Sequence, residues 1–158
     1  MNDTYDETIH LDCHPLAVRS ARHHVASTLR RRGWGEADVE RAQLAASELV
    51  ANAVVHARTD STMRISLDGS LRLEVVDGAP RADLQPREID PCRVGGLGLQ
   101  IIAQLSSDWG VERMPAGKAV WCEVRPTAPP LARSSFAEPE LSGPTVPGSD
   151  GSRSDRSS

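Results

Sequence analysis

Up to Arg125, hydrophobic and polar positions alternate with two different periods, and the switches between the periods mark the elements. Thr8-Ile9-His10-Leu11 repeats with period two and reads as a short strand. Pro15 suits the first turn of the helix that follows. Its apolar positions Leu16, Val18, Ala21, Val25 and Leu29 recur at helical spacing as far as Arg32, and Gly33 is a stop signal. A second helix is predicted from Glu36 to about Ala57. Met63 to Leu67 and Leu71 to Val75 return to period two around Asp68-Gly69-Ser70, a hairpin turn signal. A long connection rich in Pro and charge leads from Asp77 to Gly95, and an apolar helix follows from Leu97 to about Leu105. Two more strands, Trp109 to Arg113 and Ala119 to Val124, flank a turn at Pro115-Ala116-Gly117-Lys118.

Antiparallel strand pairs with helices inserted between them predict an α+β fold, a two-layer sandwich with helices on one face of a mixed sheet. Strands and helices do not alternate strictly, which argues against a Rossmann arrangement. Beyond Pro126 the chain turns to Pro, Ser, Gly and scattered charge, a composition with too little apolar surface to offset its ordering entropy. The expected organisation is therefore one folded unit, residues 8–125, and a disordered tail, residues 126–158.

Composition narrows the function classes. The chain has 158 residues, 39% of them hydrophobic, enough for one real core. Its formal net charge of −4 gives no footing for a nucleic-acid backbone or an acidic membrane surface. Of its 18 basic residues only Lys118 is Lys, and the arginines are scattered rather than clustered, as a GC-rich genome would produce. Cys13, Cys92 and Cys122 lack metal-ligand spacing and read as reduced thiols. The polar, acidic start has no secretory character and no run reaches the ~18 apolar residues of a membrane span, so a cytoplasmic protein is expected.

Three short signals carry the candidate chemistry. On the second helix Glu48, Asn52 and His56 are four residues apart and share one stripe, with wholly apolar neighbours Leu49, Val50, Ala53, Val54 and Val55. Buried Glu and Asn need partners, supplied either by a polar network or by a metal, water or ligand in a pocket. The spacing does not separate the two readings. Asp77 ends an apolar strand and precedes Gly78-Ala79-Pro80, where a carboxylate forms a turn or accepts a hydrogen bond from an exocyclic amine. Gly95-Gly96-Leu97-Gly98-Leu99 opens a helix, where glycines admit a close phosphate and free amides favour anions. A loop-to-helix turn is its ordinary explanation, and no P-loop motif is present.

In this order the three signals resemble the N box and the two glycine boxes of the Bergerat-fold ATP-binding family, shared by gyrase, heat-shock chaperones, histidine kinases and mismatch-repair proteins. The Glu-x3-Asn-Ala-x2-His-Ala form at Glu48 to Ala57, the compact size, and the run from Trp109-Gly110-Val111 to Gly117-Lys118-Ala119-Val120-Trp121 look most like the small anti-sigma-factor serine kinases of bacteria. The resemblance implies that Asn52 ligates Mg²⁺, that Glu48 is the base for an attacking serine hydroxyl, and that Asp77 binds the adenine amine. It also implies that Gly96, Leu97, Gly98 and Leu99 hold phosphate, that Ala79 borders the adenine pocket, and that Arg93, in the connection before Gly95, meets the γ-phosphate. His56 takes a helix-end structural role. The implied partners are a sigma factor and an anti-anti-sigma antagonist phosphorylated on serine, with a homodimer formed through the first helix and the exposed sheet. An ATP-sensing interaction module without phosphotransfer, and the ATPase part of a sensor histidine kinase, are the alternative readings. Two positions depart from the family pattern: Ala79 stands where the first glycine box has Gly, and Lys118 follows Gly117 where Thr is usual.

Overall fold

A computed structural model describes residues 4–78 and 96–131. The chain order is β1 (Tyr5–Leu11), α1 (Leu16–Arg31), α2 (Glu36–Asn52), a π-helical turn (Ala53–Ala57), β2 (Ser61–Asp68), β3 (Ser70–Asp77), α3 (Gly96–Leu105), β4 (Asp108–Met114) and β5 (Gly117–Val124). The strands form one sheet in the order β1-β2-β3-β5-β4. Every pairing among the described residues is antiparallel, which corrects the expectation of a mixed sheet. The reason is the last hairpin. The chain leaves β3, forms α3 and lays β4 at the far edge, so that β5 returns between them, antiparallel to both.

Period-two alternation divides the sheet into two faces. Met63, Ile65 and Leu67 on β2, Leu71, Leu73 and Val75 on β3, and Val120, Cys122 and Val124 on β5 point inward and are buried. They meet Ala21, Val25 and Leu29 of α1, Val39, Ala42, Ala46, Leu49 and Val50 of α2, and Leu99 and Ile102 of α3. The alanines of α1 and α2 let these helices pack closely, so two layers share one core. At the end of α1, Gly33 takes φ +75° and its N–H reaches Arg30 O at 3.0 Å, a left-handed stop suited to glycine.

The second helix departs from expectation at its end. Its α-helical part stops at Asn52, and Arg58, in left-handed conformation at φ 54°, donates its N–H to Ala53 O five residues back at 3.0 Å. The strand at the start is longer than its sequence pattern because Tyr5, Asp6 and Glu7 pair with Leu67, Ser66 and Ile65. Past β5, the described part of the expected tail lies against the domain. Thr127 N–H and Oγ1 bond to Asp38, which is 2% exposed, and Leu131 N–H donates to Gly33 O at 3.0 Å. Among the described residues no helix is long and apolar enough to cross a membrane.

Candidate functional site

The last turn of α2 carries Glu48 and Asn52, both half-buried beside the buried Ala45, Leu49 and Ala53. Helix α3 packs on α2 and brings Gly98 against them. A β-carbon built on Gly98 would stand 2.8 Å from Glu48 Oε2 and 3.7 Å from Asn52 Oδ1. Only a residue without a side chain leaves the carboxylate where it is. The stripe of the second helix and the glycines at the start of α3 therefore form one locus.

Around Gly98 the individual roles divide. Leu99, next in α3, is 3% exposed and belongs to the core, whereas Leu97 is 76% exposed. The first amides of α3, from Gly96 onward, have no partners within the helix, and the helix start carries partial positive charge. His56 shares α2's four-residue spacing, but the wider π-helical turn takes it out of the stripe and it is exposed. It stands in the last turn before Arg58, where a basic side chain complements the helix end.

The second cluster is built at the end of β3. Asp77 continues the inward row of that strand and is 2% exposed. The next residue, Gly78, donates its N–H to Thr59 Oγ1 at 3.1 Å, which fixes the chain leaving the carboxylate. Across the ladder Asp77 pairs with Lys118, whose Nζ is 3.7 Å from Asp77 Oδ2. Gly117 makes this approach possible. Its φ is +152° and a β-carbon there would fall 1.8 Å from Asp77 O. The π-helical turn after Asn52 packs on β3, the strand that ends in Asp77, and so joins the two clusters.

Ala79 and Arg93, expected at the base and at the γ-phosphate, lie outside the described residues. Thr59 carried no motif and was not anticipated. Lys118 stood out only as a departure from a pattern, although it sits two residues before Val120 in the alternation that buries Val120, Cys122 and Val124.

These residues fit a magnesium-bound polyphosphate. Asn52 offers a hard amide oxygen, Gly98 keeps the surface beside it open, and the start of α3 supplies amide donors. Among the described residues no three His, Cys, Asp or Glu side chains converge as a metal-binding group. A cation at Asn52 would thus be shared with phosphate oxygens, the mode Mg²⁺ favours.

Comparison with known proteins gives the same outline. A family model described as the histidine kinase-like ATPase domain matches residues 12–123. The fold is similar to that in a crystal structure of the RsbU and RsbW domains of Rv1364c from Mycobacterium tuberculosis, at TM-score 0.62 and 22% identity. That match covers 80% of this chain but only 34% of the other, so the chain spans about a third of that protein's length. It is also similar to a chain of the SiaB-SiaC complex from Pseudomonas aeruginosa, at TM-score 0.58 and 13% identity, covering 75% of this chain and 88% of that one. No curated protein matches the chain.

Proposed function

The chain belongs to the histidine kinase-like ATPase domain family, and from that premise we propose that it is an ATP-dependent regulatory kinase that transfers the γ-phosphoryl group to a serine of a small antagonist protein. The observation that carries this reading is the contact of Gly98 with both Glu48 and Asn52. That proximity supports a site in which Glu48 acts as proton acceptor, Asn52 as metal ligand and the start of α3 as phosphate holder. Asn52 would hold Mg²⁺, Asp77 would accept the adenine amine, and the amides of Gly96, Leu97, Gly98 and Leu99 would bind phosphate; Ala79 and Arg93, outside the described residues, are assigned to the base and the γ-phosphate by resemblance alone. Mg²⁺ held at Asn52 would supply neutralisation of the phosphate charge that builds during transfer.

Glu48 receives the proton of the serine hydroxyl as its oxygen bonds to phosphorus, while the bond to the leaving oxygen breaks and ADP departs. A pure binding module needs Asn52 more than Glu48, and the position of Glu48 against Gly98 favours chemistry. The added phosphate places about −1.5 to −2 charges on the antagonist and weakens a close interface. In this scheme nucleotide state sets whether the protein holds the antagonist or a sigma factor, and a homodimer presents two such sites. The likeness to a structure containing an RsbW domain, and to a chain of the SiaB-SiaC complex, supports a partner-binding role.

The test is incubation of the purified protein with γ-labelled ATP and a candidate antagonist. The kinase reading expects label on serine, and Glu48→Ala should abolish transfer while leaving ATP binding largely intact. Intact ATP binding with no phosphoserine would leave only the ATP-sensing module.

A further inference from the structure

The inward row of β5 runs Val124, Cys122, Val120 and then Lys118. An otherwise apolar row thus ends in an ammonium group, 3.7 Å from Oδ2 of the buried Asp77. The lysine is fixed at its root. Gly117 lies directly on the Asp77 carbonyl, and the ladder pairs Asp77 with Lys118, so the stem starts beside the carboxylate and on the same face. The Lys118 side chain is 23% exposed against 2% for Asp77, so the lysine is the more open member of the pair.

We infer that Lys118 is a base-reading residue, donating a hydrogen bond to ring nitrogen N1 of the adenine whose exocyclic amine Asp77 accepts. This inference rests on the reading of Asp77 as the base acceptor. An ionised carboxylate only accepts hydrogen bonds, and an ammonium only donates them, with three N–H groups to distribute. One of these faces Asp77 Oδ2, which leaves donors for a ligand at the same edge. Side by side, the two groups form an acceptor and a donor. Adenine presents the complement, an amine donor next to the N1 acceptor. A carboxylate alone reads one position of the base, and the pair reads two.

The experiment is competition of ATP and 1-deaza-ATP, which lacks N1, against a fluorescent ATP analogue. It uses the full chain with wild-type sequence, Lys118→Met, Lys118→Arg and Asp77→Asn, each checked for native circular dichroism. Wild type should bind 1-deaza-ATP about 10- to 100-fold more weakly than ATP, the range for a hydrogen bond from a charged donor. Lys118→Met should bind the two nucleotides equally, and Lys118→Arg should keep a preference. A lysine with only a structural role would shift both affinities together and leave their ratio unchanged. Equal binding by wild type, or an undiminished preference in Lys118→Met, overturns the inference. The base-site reading fails separately, if neither Asp77→Asn nor removal of the exocyclic amine from the nucleotide weakens binding.

Discussion

Replacing Gly98 by Ala separates stability from chemistry at the site. The new β-carbon would stand 2.8 Å from Oε2 and 3.9 Å from Cδ of Glu48. The first distance is too short for any real contact, but the atom met is the far end of a flexible side chain, so Glu48 rotates away and the backbone stays. An off-rotamer carboxylate costs about 0.5–1.5 kcal/mol. Alanine recovers roughly 0.5–1 kcal/mol over glycine within a helix. The two nearly cancel, and the net change stays within about 1 kcal/mol, or about 4 °C in melting temperature for a domain of this size. The carboxylate itself moves by about 1 Å, and a misplacement of that size costs on the order of 100-fold in rate. Asn52 Oδ1, 3.7 Å from the new carbon, is at ordinary contact distance and keeps its place. Thermal melts, calorimetric titration with Mg·ATP and single-turnover transfer from γ-labelled ATP to a candidate antagonist measure the three effects. Expected are a near-native melt, binding within about tenfold of wild type and transfer down about 100-fold. Transfer at the wild-type rate would show that Glu48 is not positioned by Gly98. A melting temperature lowered by far more than about 4 °C would show that the methyl meets something rigid.

Three further outcomes follow from other contacts. Gly117→Ala places a β-carbon 1.8 Å from a backbone oxygen at φ +152°, where nothing flexible can yield. The urea midpoint should fall by the equivalent of at least about 1–3 kcal/mol, and an unchanged midpoint would contradict the packing described. Asp38→Ala removes the acceptor for Thr127 N–H at 2.9 Å and for Arg41 at 2.7 Å, and should cost about 3 kcal/mol in urea unfolding. Burial pushes the Asp38 carboxyl up, but the Thr127 amide and hydroxyl and the Arg41 guanidinium outweigh it and hold it below the usual carboxylate range. Its contribution is therefore complete above the unfolded carboxylate value near 4 and is lost as pH falls through the lower folded-state value, so the gap between wild type and variant should shrink below about pH 4. A gap independent of pH would count against it. Burial also pushes the Cys122 thiol up to about 12, whereas Cys13 is exposed. Iodoacetamide at neutral pH should modify Cys13 and spare Cys122 in the native protein, as mass spectrometry would show.

Much of this was legible in the sequence because it depends on local periodicity. Alternation along Met63 to Leu67 and Leu71 to Val75 assigns the inward rows, and Asp68-Gly69-Ser70 assigns their turn, both as found. The four-residue spacing of Glu48 and Asn52 put both side chains on one stripe, which α3 then meets. What depends on hydrogen-bond register or distant partners was not readable. The π-helical turn after Asn52 arises from a one-residue shift in backbone bonding that leaves no mark in residue type, and it carries His56 out to solvent. Tyr5 to Glu7 join β1 only because β2 offers Leu67 to Ile65 as partners. The proximity of Lys118 to Asp77 is a consequence of the β3–β5 register, between residues 41 positions apart in the chain (118 − 77). Likewise Thr127 looks like tail by composition, and its anchor Asp38 is 89 positions away.

Calorimetric titration of Mg·ATP into the wild-type protein, Asn52→Ala and Asp77→Asn bears most directly on the proposed nucleotide site. Wild type should bind one Mg·ATP per chain, Asn52→Ala should lose the magnesium dependence, and Asp77→Asn should lose at least about tenfold in affinity, the scale of a hydrogen bond to a charged acceptor. No binding by wild type, or unchanged magnesium-dependent binding in both variants, would contradict an ATP site built on these residues.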